Sequence, residues 1–179
     1  MPKSTGTTGN CADLKPLLGQ RLEQRLNQEH WAKLKESALN DRDISTLQWA
    51  SLLNGRLEIT YLQPDGSPEL CCDEVTPFKR WRLPQDEINR AKAQGKKGAK
   101  YLSPSNNGCR IYHSHLAISE GGYAQRLKNR LVPLRITEGE LKTEAATAHD
   151  PNRLTIGLGG VSSWQDRRKG GEGSMPLPH

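Results

Sequence analysis

At 179 residues, 34% of them hydrophobic and 5% aromatic, the chain carries enough apolar surface for a modest core and too little for a large one. Its formal charge is +6 and its mean hydropathy -0.78, which argues against an acidic or membrane-embedded class. The positive excess is local: Pro77 to Arg135 holds 13 Lys/Arg against 3 Asp/Glu, a net of +10, so the remaining residues sum to -4.

A basic block of this kind fits a polyanion partner, DNA or RNA, and it fits equally a solvated, solubilising face. The four cysteines, Cys11, Cys71, Cys72 and Cys109, contain no C-x-x-C spacing, so neither a zinc ribbon nor a disulfide scaffold is encoded. Met1 to Asn10 is polar and lacks the apolar core of a signal peptide. No apolar run approaches the ~18 residues of a membrane span. A cytoplasmic protein with reduced cysteines and no membrane partner is expected.

In chain order, residues 1–13 read as a flexible lead. Leu18, Leu22 and Leu26, spaced by four, predict a helical stretch, and a second helix is predicted from near Asn27 with Trp31, Leu34 and Ala38. Asn40–Ser45 supplies caps and turns, with Ile44, Leu47 and Leu52 packed behind it. Leu57–Leu62 alternates and is β-branched, which predicts a strand. Pro64–Ser67 is a turn, and a return strand is predicted around Glu69–Val75 to complete a hairpin.

Next, Lys79, Arg80 and Arg82 interleave with Phe78 and Trp81. Ala91–Lys100 is glycine-bearing and cationic, carries Lys96, Lys97 and Lys100, and reads as a mobile loop closed by Tyr101. Lysines neutralise phosphates, and Trp81 and Tyr101 offer rings on which bases of a single strand can stack. The plainer reading makes Phe78 and Trp81 core and the lysines loop solvation. His113 and His115, two apart, would share one face of a strand as a metal pair, but no third ligand stands nearby.

Leu131–Val161 alternates strand, helix, strand: Leu134–Thr137, Glu140–His149 and Leu154–Leu158, the last running into Gly159-Gly160. Such a β-α-β unit has parallel strands, and its working edge is the carboxyl end of the strands. Glu138-Gly139 and Gly159-Gly160 fall there. An ionised Glu138 at a helix N-terminus can act as a base or hold Mg2+, and Gly139, Gly159 and Gly160 leave room for a phosphate near the backbone. The structural alternative is that Thr137-x-x-Glu140 is a capping box. The glycines at 157, 159 and 160 follow the second strand, whereas a dinucleotide fingerprint follows the first.

ITEGELKTEAA followed by LTIGLGGVSSW resembles the first half of a Toprim domain and, more closely, is similar to the Toprim-like domain of unknown function in cyanobacterial plasmid and phage primase-helicase replication proteins. Weaker likeness extends upstream through Glu29-His30-Trp31 to Ser37, the LEITYLQPDGS hairpin, Arg80-Trp81-Arg82 and Lys100–Pro104, about residues 29–164 in all. The resemblance implies an α/β fold: an N-terminal α+β region with a β-hairpin, then an incomplete Toprim-like β-α-β half-domain. It divides the chain into a flexible or helical lead at 1–28, a basic α+β region at 29–130, the partial Toprim-like unit at 131–164 and a disordered tail at 165–179.

It implies that Glu138 is the catalytic acid/base and a metal ligand. The Asp-x-Asp pair that binds Mg2+ in that family is missing, Asp166 stands alone, and Lys142 occupies the position where many relatives are acidic. With two strands of about four, the second would expose an unpaired edge. The expectation is therefore a shortened primase-like replication protein of a plasmid or phage, inactive alone. The resemblance implies a replication helicase or a downstream-encoded half as partner, and Mg2+ as the cofactor of the family, which this chain without the Asp-x-Asp pair either binds or does not. The competing expectation is a non-catalytic single-stranded nucleic-acid-binding module.

Overall fold

The computed structural model describes residues 25–129 and 132–160 and, by backbone alone, the paired strands Gln165–Asp166 and Met175–Pro176. The predicted lead, the Leu18–Leu22 helix and the tail otherwise lie outside the described residues, which besides that two-stranded pair form two larger sheets and six helices.

Helix α1 (Gln28–Glu36) starts where Asn27 Oδ1 accepts from His30 N at 2.8 Å, with Glu29 in its first turn and Lys33 and Lys35 in its last. Helix α2 (Asp41–Thr46) is closed by a reciprocal capping box between Asn40 and Asp43. Ile44, Leu47 and Leu52 are buried behind it, as the sequence predicts.

Strands β1 (Ala50–Ser51), β2 (Leu57–Thr60), β3 (Lys79–Arg82) and β4 (Tyr101–Leu102) make an antiparallel sheet in that order. The partner of β2 is not the expected 69–75 segment. Glu58 pairs with Trp81 and Thr60 with Lys79, while 62–77 contributes only isolated bridges, Leu62 to Pro68 and Leu70 to Pro77. Prolines give a ladder no donor. Asp73 also turns the chain, accepting from Val75 N, Thr76 N and Thr76 Oγ1, so the predicted strand is a turn. The basic stretch is less loop-like than predicted: α3 (Gln85–Ala93) takes its first part, and only Gln94–Lys100 is irregular.

The second sheet contains β5 (Ile111–His113), β6 (Leu134–Glu138) and β7 (Leu154–Leu158), in the order β5-β7-β6. Helices α4 (His115–Ser119) and α5 (Tyr123–Lys128) follow β5, and α6 (Glu140–His149) joins β6 to β7. The last two strands are parallel, Ile136 opposite Ile156 and Glu138 opposite Leu158. The predicted β-α-β unit is thus present. The expected unpaired edge on β7 is not: β5 lies antiparallel along it, His113 opposite Ile156, and fills its free ladder. Among the described residues the outer strands of this sheet are β5 and β6, and on β6 Leu134 and Ile136 are 49% and 60% exposed.

One cluster of buried residues, including Leu34, Trp49, Ile59, Tyr61, Phe78 and Tyr112, joins α1, α2 and both sheets, with Leu141 and Ala148 of α6 against it. Gly157 is required inside the parallel unit. A Cβ there would stand 2.3 Å from Thr143 Oγ1 of α6 and 3.3 Å from Tyr112 Cβ. No described helix is long and apolar enough to cross a membrane.

Candidate nucleic-acid interface and acidic rim

Glu138 ends β6 at the carboxyl rim of the parallel strands, where the sequence places it. Gly139 follows as the N-cap of α6, at φ +87°, a conformation that suits glycine. Its amide donates to Leu158 O at 2.7 Å, which ties the two strand ends together. Glu140 is therefore the first helical residue rather than the third, and the Thr137-x-x-Glu140 capping box does not form. Thr137 instead bonds Thr143 Oγ1 at 2.7 Å. The Glu138 side chain is 54% exposed, and its ion-pair neighbour is Lys142 Nζ at 3.7 Å. Among the described residues no group of three or more His, Cys, Asp or Glu is placed to hold a metal. Glu138 thus offers this rim a single exposed carboxylate, already paired with an ammonium.

Two positions further on lies a buried ion pair. Glu140 is 1% exposed, and its Oε1 accepts from Tyr61 OH and from Arg80 Nη1, both at 2.6 Å. Burial pushes the Tyr61 hydroxyl well above its ordinary range, and Glu140 beside it pushes the same way. Burial opposes the Arg80 charge, but the Glu140 carboxylate and Tyr61 outweigh it and hold its pKa above the usual value. Arg80 lies against Gly159, where a Cβ would come within 2.6 Å of Nη1, and its guanidinium carbon stands 4.9 Å above the Tyr101 ring. Arg80, Tyr101 and Gly159 thus meet, so the basic sheet abuts the rim. Gly160 ends the described segment after β7.

The other predicted contacts divide. Trp81 is 5% exposed and belongs to the interior, so its ring offers no face to a base. Lys79 pairs with Glu58 at 3.1 Å. Arg90, Arg110 and Arg135 are also taken, by Asp86, Glu69 and Asp150. Arg82, Lys96, Lys97 and Lys100 form no ion pair among the described residues, and the three lysines are exposed. Arg82, Lys100 and Tyr101 line a cleft of about 400 Å³ between α1, α3 and the face of β2 and β3.

His113 and His115 do not share a strand face, because the strand ends at His113 and α4 begins at His115. His113 Nδ1 meets Tyr123 OH at 3.1 Å. His115 Nδ1 accepts from Gln48 N at 2.9 Å, and Nε2 faces Thr60 O at 3.0 Å. Burial lowers both to about 4, so they are neutral imidazoles spent on internal bonds.

Sequence reasoning missed Glu140 and Glu144. Their signal is the spacing of Glu140, Thr143, Glu144 and Thr147, which repeats the i, i+3, i+4, i+7 pattern of a buried helix face in polar residues. Compared with protein-family models, with curated proteins and with solved structures, the chain finds no match.

Proposed function

We propose that the chain binds single-stranded nucleic acid as part of a primase-like, Toprim-related replication protein. One observation carries the reading: Arg82 and Lys100, which form no ion pair among the described residues, line the same cleft as Tyr101, with the exposed Lys96 and Lys97 a few residues before it in the chain, and Arg80 joins Tyr101 to the parallel-strand rim. Unpaired cations exchange condensed counterions for phosphates, and an aromatic beside them adds stacking.

Titrating a labelled oligonucleotide at rising salt tests it. Each phosphate contact contributes about -0.7 to the slope of log affinity against log salt for a single strand. Lys96→Gln, Lys97→Gln and Lys100→Gln together are expected to flatten that slope by about 2. An unchanged slope, or no binding at low salt, removes the proposal.

The position of Glu138 favours a second reading, in which it serves as a general acid/base once carboxylates from another chain or segment complete a site. Its exposure predicts that Glu138→Ala changes stability by no more than about 0.5 kcal/mol. Any template-directed primer synthesis by the assembled machinery should be lost with it. Synthesis that survives the substitution eliminates the role.

A further inference from the structure

We infer that the cleft between α1, α3 and the face of β2 and β3 receives one nucleobase of the bound strand, with the neighbouring phosphate at Arg82 and Lys100. The inference rests on the nucleic-acid reading above and assigns the site within it. The floor is apolar and deeply placed: Trp49 and Ile59 are 1% exposed and Leu57 is 3%. The volume, about 400 Å³, lies within the range of small-molecule sites.

Tyr101 stands at the wall, its ring fixed by the Arg80 guanidinium at 4.9 Å. The charges around the opening are unequal. Lys33 and Glu36 neutralise each other at 2.8 Å, which leaves Glu29 against Arg82 and Lys100. A ligand with a flat, uncharged, π-faced body and an adjoining anion satisfies both parts. Free phosphate would leave the apolar floor unused, and an aliphatic side chain would leave the cations unused. The burial of Trp81 makes Tyr101 the ring of the predicted pair that can meet a base.

The experiment compares a short oligothymidine with an abasic strand of the same length, by fluorescence anisotropy at low salt. The two carry the same phosphates and differ only in their bases. Wild type is expected to prefer the base-bearing strand by about five- to a hundredfold, the range of base–aromatic stacking. Ala32→Trp, at an exposed position of α1 that lines the cleft, places an indole in the space and should erase the preference, leaving both strands at the abasic level. Tyr101→Leu should reduce the preference without that steric block. It keeps the test decisive if the tryptophan variant misfolds. Equal affinities in wild type, or a preference intact in both folded variants, overturn the cleft and leave the cationic surface standing. Absence of binding to either strand overturns both.

Discussion

Replacing Arg80 by methionine is expected to lower the free energy of unfolding by roughly 3–5 kcal/mol, the usual consequence of stranding a buried charge. Glu140, 1% exposed, would keep only the Tyr61 hydroxyl at 2.6 Å as partner. In a chain of this length that corresponds to a fall in melting temperature of about 10 °C. The pair itself need not be a net stabiliser, because removing two charges from water offsets most of their attraction.

The double variant Arg80→Met, Glu140→Leu should therefore recover most of the loss, and the double-mutant cycle should show strong coupling. Urea titrations of the single and double variants measure it. A double variant no better than the single one would show that the ion pair is not what holds Arg80 against Gly159.

Local chemistry made the parallel unit legible. Leu134–Thr137, Glu140–His149 and Leu154–Leu158 were expected from short apolar runs, an alanine-bearing helix and Asp150-Pro151 at its end, and the observed bounds differ only by adding Glu138 to the first strand. The position of Glu138 at the rim follows from that alternation. The expected return strand at 69–75 does not form because Asp73, inside that segment, turns the chain through Val75 and Thr76.

The site was legible only in part, because charge counting cannot see pairing. Five of the cations between Pro77 and Arg135 are held by carboxylates: Lys79, Arg80, Arg90, Arg110 and Arg135. The partner of Arg80 lies 60 residues away. That pair forms only when α6 packs against the antiparallel sheet, and nothing within either segment announces it, whereas Asp86 and Arg90 are an i,i+4 pair of α3 that the sequence itself displays.

Glu144, at 0% exposure, is the other buried acid of α6, and its loss should be comparably severe. It accepts from Tyr112 OH at 2.5 Å, Ser114 Oγ at 2.7 Å, His115 N at 2.7 Å and Leu116 N at 3.4 Å. Two of these are opening amides of α4, so α6 caps a helix that precedes it by a whole strand. Glu144→Ala would orphan several buried donors at ~1–3 kcal/mol each, for a total of about 3–5 kcal/mol after relaxation.

Its pH dependence fixes which force dominates. Burial raises the Glu144 pKa above 4.5, while the hydrogen bonds from Tyr112, Ser114 and the two amides oppose the rise without cancelling it. A raised folded value means that the contribution of Glu144 is fully present below 4.5 and is lost as pH rises through that value. His115 acts in the opposite sense: lowered from 6.5 to about 4, it contributes stability above 6.5 that disappears as pH falls toward 4. That contribution is about 3 kcal/mol, so the wild-type profile alone does not isolate Glu144. Glu144→Gln does, because it leaves the histidines in place and cannot ionise. The cost of that substitution, from urea unfolding across the acid-to-neutral range, is expected to shrink as pH rises. A cost that grows instead would mean that the four donors hold Glu144 as a carboxylate, and that its charge forms part of the native network.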